Sequence, residues 1–218
     1  RASQGAYPAG TALGPLLLAR LRAEGDLPPL PADLNYTLGE STLTCANTPS
    51  DPSNWNAVVA AGCPGAVAEL GLALGGEDLL AFYRELGLYS ATELCLPTYT
   101  QAAPTSISRP GVTAIGRGEL LVSPLHMLRA AAALSNGGRI PALQLALSVE
   151  QDGQIRADLE PVGASRALLN AQAVNNTLVE FAGEDAGTWS LVAPAVSPEA
   201  RRYPWLIGGT RATEGSPA

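Results

Sequence analysis

Glycine and proline divide this chain into short segments and limit what it can fold into. The 218 residues include 23 glycines and 18 prolines, and only 15% of the residues are charged. Proline removes a backbone donor and glycine weakens regular elements, so loops must join most elements. Because 46% of the residues are hydrophobic, the chain can bury a sizeable core. We therefore expect a compact, loop-rich globular protein, with residues 1–218 forming a single domain.

Hydrophobic periodicity places the helices. Leucines recur at helical spacing after Thr11, whose hydroxyl can cap the start of a helix, and Pro15 lies in its first turn. Ser123 and Pro124 form a strong helix start that runs to Asn136. The helices are predicted over residues 11–24, 57–74, 78–86, 123–136 and 165–182.

Between the helices the sequence predicts loops and one hairpin. Residues 25–56 and 96–111 are rich in proline and small polar residues and are predicted as loops. Apolar and polar residues alternate over 143–150, which predicts a half-buried strand. Residues 151–154 have the sequence of a hairpin turn. Helices and an antiparallel strand pair together indicate an α+β fold.

Charge excludes several functions. The net charge of −7 makes nucleic acid an unsuitable partner. All 13 basic residues are arginine, which keeps its proton, so no amine of this chain can act as a general base. His126 is the single histidine. No run of 18 apolar residues is present and no signal peptide is visible, so we expect membrane attachment only through an anchor outside these residues.

The three cysteines leave alternatives open. Cys45, Cys63 and Cys95 lack the close pairing of metal ligands, and we expect no metal and no organic cofactor. One disulfide with one free thiol is one interpretation, in which Cys45 pairs with Cys63 or with Cys95. Three buried, reduced cysteines are the other.

Two segments resemble the penicillin-binding protein transpeptidase domain. Residues 1–11, Arg-Ala-Ser-Gln-Gly-Ala-Tyr-Pro-Ala-Gly-Thr, are similar to the family stretch that precedes the nucleophile. Residues 111–141 are similar to a family segment that ends in a helix, Asn-Gly-Gly and proline. The agreements in that segment are Ala114-Ile115-Gly116, Gly118, Ser123-Pro124-Leu125, Met127 and Asn136-Gly137-Gly138. The family has further sheet strands at both ends, which either lie outside this sequence or have been lost.

The resemblance implies three catalytic motifs, and all three are degenerate here. The family's first motif, S-x-x-K, falls on Thr11 to Gly14, so that glycine replaces the base lysine. The second, S-x-N, falls on Gly62, Cys63 and Pro64. A nucleophilic role for Cys63 would need a neighbouring base or cation, so a structural cysteine is the preferred interpretation.

The third motif, K-T-G, has its candidate near the end of the chain. Gly209 and Thr210 resemble its G-T, the lysine is missing, and Arg211 could pair with a carboxylate or remain solvated. His126 stands where the family usually carries glutamine and is predicted to be structural. Trp55, Trp189 and Trp205 are predicted to anchor the core or loops.

The degeneracy of all three motifs favours a protein that has the family fold without the catalytic activity. The leading hypothesis is a non-catalytic, extracytoplasmic scaffold with a protein partner in a cell-envelope or membrane complex. The alternatives are a module that binds peptidoglycan stem peptide or a β-lactam, and a transpeptidase with an atypical site. In the last case Thr11 or Cys63 would use a base from outside this chain.

Overall fold

The computed structural model describes residues 3–94, 96–118, 120–181, 187–197 and 201–211. Within these ranges, helices and short antiparallel strand pairs share one apolar core, which confirms the predicted α+β class. The α-helices are α1 (Gly14–Glu24), α2 (Trp55–Ala60), α3 (Pro64–Glu85), α4 (Pro110–Ala114), α5 (Pro124–Ser135) and α6 (Ala171–Leu178). Two 3₁₀ segments, Gly10–Leu13 and Val179–Phe181, directly precede α1 and follow α6.

The described strands form antiparallel pairs. They are β1 (Tyr7–Pro8) with β4 (Leu121–Val122), β2 (Tyr36–Leu38) with β3 (Ser41–Leu43), β5 (Arg139–Ile140) with β8 (Arg166–Ala167), β6 (Ser148–Gln151) with β7 (Gln154–Asp158), and β9 (Thr188–Ala193) with β10 (Trp205–Thr210). The longest register is that of β9 and β10, from Trp205 opposite Ala193 to Thr210 opposite Thr188. Side chains on β9 alternate, with Trp189, Leu191 and Ala193 buried.

The β9–β10 pair packs against helix α5 on one side of the core. The Trp189 indole nitrogen donates to Ser135 Oγ at 2.9 Å, which ties β9 to the end of α5. Trp205 donates to Pro8 O at 2.9 Å and links β10 to β1. Trp55 is buried and donates to Pro28 O at 3.0 Å. The predicted anchoring roles of the three tryptophans are confirmed.

Helix α5 follows its sequence closely. Ser123 Oγ accepts from the His126 backbone N–H, and Pro124 occupies the first turn. The helix ends at Ser135, and Gly138 N–H donates to Ala133 O. The start and the end that the sequence predicts are both confirmed, because a capping hydroxyl and glycines with positive φ act locally.

Two predicted helices have different boundaries. The helix predicted over 57–74 is interrupted at Gly62, whose φ of +67° belongs to no right-handed helix, so α2 and α3 are separate. Gly75, with φ of +76°, kinks α3 just before the predicted second helix. The helix predicted over 165–182 starts only at Ala171, because the Asn170 side chain accepts from Ala173 N–H and caps it there. Residues 166–167 form β8 instead.

The loop and strand predictions are partly correct. A β2–β3 hairpin interrupts the loop predicted over 25–56. The predicted turn is confirmed, since Gln151 pairs with Gln154 around Asp152 and Gly153. The half-buried strand predicted over 143–150 is wrong. The strand β6 starts only at Ser148, and Leu145 and Leu147 are 63% and 75% exposed. Alternation in this segment therefore does not mark a face turned to the core.

Candidate functional site

Thr11 lies where the resemblance places the nucleophile, and its hydroxyl is enclosed. The residue is 2% exposed, and its Oγ1 has no hydrogen-bond partner among the described residues. The predicted role of Thr11 as a helix cap is wrong. Thr11 lies inside the 3₁₀ segment Gly10–Leu13, and α1 begins only after Leu13. No side chain caps the start of α1. The Thr11 backbone N–H donates to Pro194 O at 3.2 Å.

Gly14 stands where the resemblance places the family lysine. Neighbouring side chains fill the space that a side chain at this position would need. A Cβ on Gly14 would lie 2.8 Å from Val67 Cγ2 and 3.1 Å from Val59 Cγ1. Both valines are fully buried. Contacts that short are repulsive, so Val59 of α2 and Val67 of α3 fill the space that a side chain at position 14 would need.

The second motif lies at the break between α2 and α3. A Cβ on Gly62 would lie 2.6 Å from Val192 O and 3.2 Å from Ala46 Cβ. Pro64 is at the first turn of α3, where it has no group to offer a substrate. Gly62 and Pro64 themselves carry neither the hydroxyl nor the amide of the family motif.

Cys63 is bonded to Cys45, with an S–S distance of 2.04 Å. The disulfide interpretation is thus confirmed for Cys45, and the interpretation of three reduced cysteines is wrong. Cys95 lies outside the described residues. A disulfide sulfur is no thiolate, so Cys63 in this state cannot act as a nucleophile.

A short loop containing Cys45 lies across the second motif. Asn47 N–H donates to Ala61 O at 3.1 Å, and the disulfide holds the loop at Cys63. Between these two attachments, Ala46 faces Gly62. The loop thus helps Val192 and Pro194 to fill the space beside Gly62.

The strand segment that meets both motif positions is Val192–Ala195, at the end of β9. Pro194 O accepts from Thr11 N–H, and Pro194 Cδ lies 3.0 Å from a Cβ built on Gly62. The sequence alone does not mark this segment, because it has neither lysine nor the G-T pair of the family motif. The alternating burial of β9 is the signal that could have indicated it.

Gly209 and Thr210 lie elsewhere on the same strand pair. A Cβ on Gly209 would collide with Ser135 Oγ at the end of α5, and Thr210 is paired with Thr188. Arg211 donates through Nη2 to Leu178 O and Val179 O. Those carbonyls end helix α6, so Arg211 acts as a C-terminal helix cap, a role that the sequence did not indicate.

His126 is a structural residue, as predicted. It is 1% exposed, and Nε2 donates to Ser90 O at 3.0 Å. Nδ1 lies 3.4 Å from the Ser123 backbone nitrogen, whose N–H donates to it. Burial lowers the pKa of His126, and the nearby Arg129 lowers it further, while the Ser90 carbonyl acts in the opposite direction. Only the neutral ring satisfies both contacts, because Ser123 N–H needs an acceptor.

Acidification is expected to weaken the fold through His126. A folded pKa below the ordinary value of 6.5 means that the unfolded chain binds the proton first. The free energy of unfolding should therefore fall as pH drops through about 6.5 and level off below the folded pKa. Urea unfolding between about pH 7.5 and 5.5 measures this loss. His126→Gln keeps a donor and an acceptor and should remove it; an equal loss in both proteins would contradict the assignment.

Two cavities lie away from the motif positions. One, of about 150 Å³, is lined by residues of the 104–120 segment and Tyr89. The other, of about 230 Å³, lies between α1 and α6. In the described ranges no group of His, Cys, Asp or Glu side chains could hold a metal ion. No described helix is long and apolar enough to cross a membrane.

Several solved structures share the fold of this chain. Penicillin-binding protein A from M. tuberculosis, solved as an imipenem acyl-enzyme complex, is 21% identical with a TM-score of 0.73; the match covers 95% of this chain and 53% of that one. The D,D-transpeptidase domain of a peptidoglycan glycosyltransferase from Eggerthella lenta is 15% identical with a TM-score of 0.72, and the match covers 95% and 58%. The chain thus spans little more than half of these structures.

A third similar structure is the transpeptidase domain of Burkholderia pseudomallei penicillin-binding protein 3, at 14% identity and a TM-score of 0.67, with 95% and 68% covered. Among curated proteins no match is found. The family model described as the penicillin-binding protein transpeptidase domain matches residues 36–191. The chain belongs to the penicillin-binding protein transpeptidase domain family.

Proposed function

We propose that this chain is a non-catalytic penicillin-binding-protein-like domain. It would serve as an extracytoplasmic scaffold or interaction subunit of a cell-envelope or membrane complex. The observation that carries this proposal is the packing at Gly14, where Val67 and Val59 fill the place of the family lysine. A substitution alone could leave an open cleft, whereas filled space leaves no room for the missing group or for a substitute.

The nucleophile position supports the same conclusion. Thr11 Oγ1 is buried, so an incoming carbonyl carbon could not reach it without movement of the 3₁₀ turn. The pKa of a hydroxyl is far too high for attack near neutral pH without a base. The chain has no lysine to supply one. His126, the single histidine, uses both ring nitrogens inside α5 and the loop at Ser90.

The disulfide supports the compartment part of the proposal. Disulfides persist in oxidising environments, such as the periplasm or the cell surface, and are rare in the cytosol. The Cys45–Cys63 bond therefore fits an extracytoplasmic domain. The membrane attachment and the protein partner of such a scaffold would be provided by residues and chains outside this one.

Incubation with a reactive penicillin tests the non-catalytic part. We expect the intact mass to remain unchanged after prolonged exposure, because no enclosed hydroxyl can form the acyl ester. Intact-protein mass spectrometry provides the measurement, with an active transpeptidase domain as the positive control. A stoichiometric adduct mapped to Thr11 would refute the proposal.

The scaffold part needs its own experiment. The full protein, tagged and purified from cross-linked cell envelopes, should recover the same partner at a constant ratio. Recovery of no stoichiometric partner would contradict it. The alternative, a module that binds stem peptides, needs Thr210 or Arg211 to face a cleft, and the Arg211 guanidinium instead donates to the carbonyls at the end of α6.

A further inference from the structure

We propose that the 150 Å³ cavity beside helix α4 binds a phosphate-class oxyanion. The cavity is lined by Tyr89, by residues within 104–118 and by Leu120. A cavity of about this volume admits a compact small molecule, about the size of benzene. It contains none of the degenerate motif positions, so this inference is independent of the non-catalytic function proposed above.

The two arginines in the cavity lining are the first reason to propose an anion as the ligand. Arg109 and Arg117 both line the cavity, and its described lining includes no aspartate or glutamate. The chain as a whole has a net charge of −7. A concave site with two guanidinium groups in an acidic protein concentrates anions locally, since its potential is opposite to that of the surrounding surface.

Neither guanidinium group forms an ion pair with another described residue. Arg117 Nη1 donates to Val196 O and Ser197 O, at 3.2 and 2.6 Å. Those acceptors are neutral carbonyls, so they fix the group without cancelling its charge. Arg109 is exposed, and its side chain forms no ion pair or hydrogen bond with another described residue, while its backbone carbonyl accepts from Thr113 N–H. Arg117 is therefore held in place, and the Arg109 guanidinium keeps its donors for a ligand as far as the described residues extend.

Hydroxyl groups indicate the class of anion. Ser106, Ser108 and Thr113 line the same cavity, beside the two arginines. Guanidinium groups and hydroxyls together offer more donors than the two oxygens of a carboxylate accept well. A tetrahedral phosphate accepts through three terminal oxygens in several directions, which suits donors arranged around a concave wall.

An apolar floor strengthens these contacts. Val112 is 7% exposed and Leu120 is 1% exposed, and both line the cavity. Apolar walls lower the local dielectric, so each charge-assisted hydrogen bond contributes more than it would on an open surface. The held position of Arg117 also reduces the side-chain entropy that binding would cost.

Calorimetric titration with inorganic phosphate tests the proposal, using the whole chain at constant ionic strength. We expect saturable binding with one site per chain. Arg109→Gln should weaken the affinity by about tenfold, the loss expected for one charge-assisted contact. Arg117→Gln should weaken it by at least as much. Acetate, titrated in the same way, should bind clearly more weakly.

The controls separate binding from folding. Arg156→Gln on β7 changes an exposed arginine outside the cavity and should leave the phosphate affinity unchanged. Arg117→Gln also removes contacts to the 196–197 segment, so a loss of stability there would be ambiguous. Arg109→Gln removes no contact that the structure shows and keeps the test decisive. Absence of saturable phosphate binding, equal binding of acetate, or unchanged affinity in Arg109→Gln would each overturn the proposal.

Discussion

Gly14→Lys, which puts back the family residue, is expected to destabilise the protein by roughly 3–5 kcal/mol and to restore no acylation. The new Cβ would lie 2.8 Å from Val67 Cγ2 and 3.1 Å from Val59 Cγ1, in a fully buried layer. Overpacking alone costs about 1–3 kcal/mol, and enclosing a charged amine without a partner adds to it. Urea unfolding and penicillin labelling measure the two effects.

Two control changes identify the cause of that loss. Gly187→Lys adds the same side chain where no atom of the described residues lies within 4 Å of the new Cβ, and should leave stability nearly unchanged. Gly14→Ala adds the Cβ alone. In an exposed helix, alanine would be favoured by about 1 kcal/mol, so any loss with this variant reports the steric contact.

A double variant completes a double-mutant cycle, which measures the coupling between positions 14 and 67. Val67→Ala removes the methyl groups that the new Cβ meets, so Gly14→Ala should cost clearly less in that background than in the native chain. Equal costs in the two backgrounds would show that Val67 does not fill the lysine space. A stable Gly14→Lys variant that reacts with penicillin would show that only the lysine is missing and that the space for its side chain is still present.

Loss of the Cys45–Cys63 disulfide is expected to cost about 3 kcal/mol of stability. The bond closes a sequence separation of 18 residues, and opening it gives the unfolded chain back that loop freedom. The Cys45→Ala/Cys63→Ala double variant should show the loss in urea unfolding. Reductant should lower the urea midpoint of the native protein to that of the double variant. It should leave the midpoint of the double variant unchanged.

The remaining cysteine provides the matched control. Cys95→Ala should keep the full sensitivity to reductant, because it leaves the Cys45–Cys63 bond intact. Loss of the reductant effect in that variant would mean that Cys95 takes part in the stabilising bond. An unchanged midpoint in the double variant would mean that the loop across the second motif is held by its other contacts alone.

Local signals in the sequence predict local structure well. Ser123-Pro124 and the glycines after Asn136 define α5, and Asp152-Gly153 defines the β6–β7 turn, since caps and turns depend on a few adjacent residues. The family resemblance likewise rests on residues fixed by backbone geometry. Gly116 is an example: its Cβ would collide with the backbone of Gly10, so only glycine fits.

Non-local packing could not be predicted in the same way. The sequence shows that Gly14 lacks an amine but not that Val67 fills the space, because the contact joins two helices. A search for G-T selects Gly209 and Thr210, whereas the strand that meets Thr11 is β9. Likewise, Thr11 has the residue type of a cap, and only the 3₁₀ turn before α1 removes that role.

Under the non-catalytic function that we propose, the conformation of Gly62 makes the absence of the second motif hard to reverse by mutation. A serine there would have to adopt φ of +67° with its Cβ 2.6 Å from Val192 O, so the first step back lowers stability before any activity returns. Natural proteins have only a small margin of stability to lose. The lysine at Gly14 would lower it again. Selection acting on one mutation at a time would therefore meet only less stable intermediates, so a chain without the family motifs is expected to remain without them.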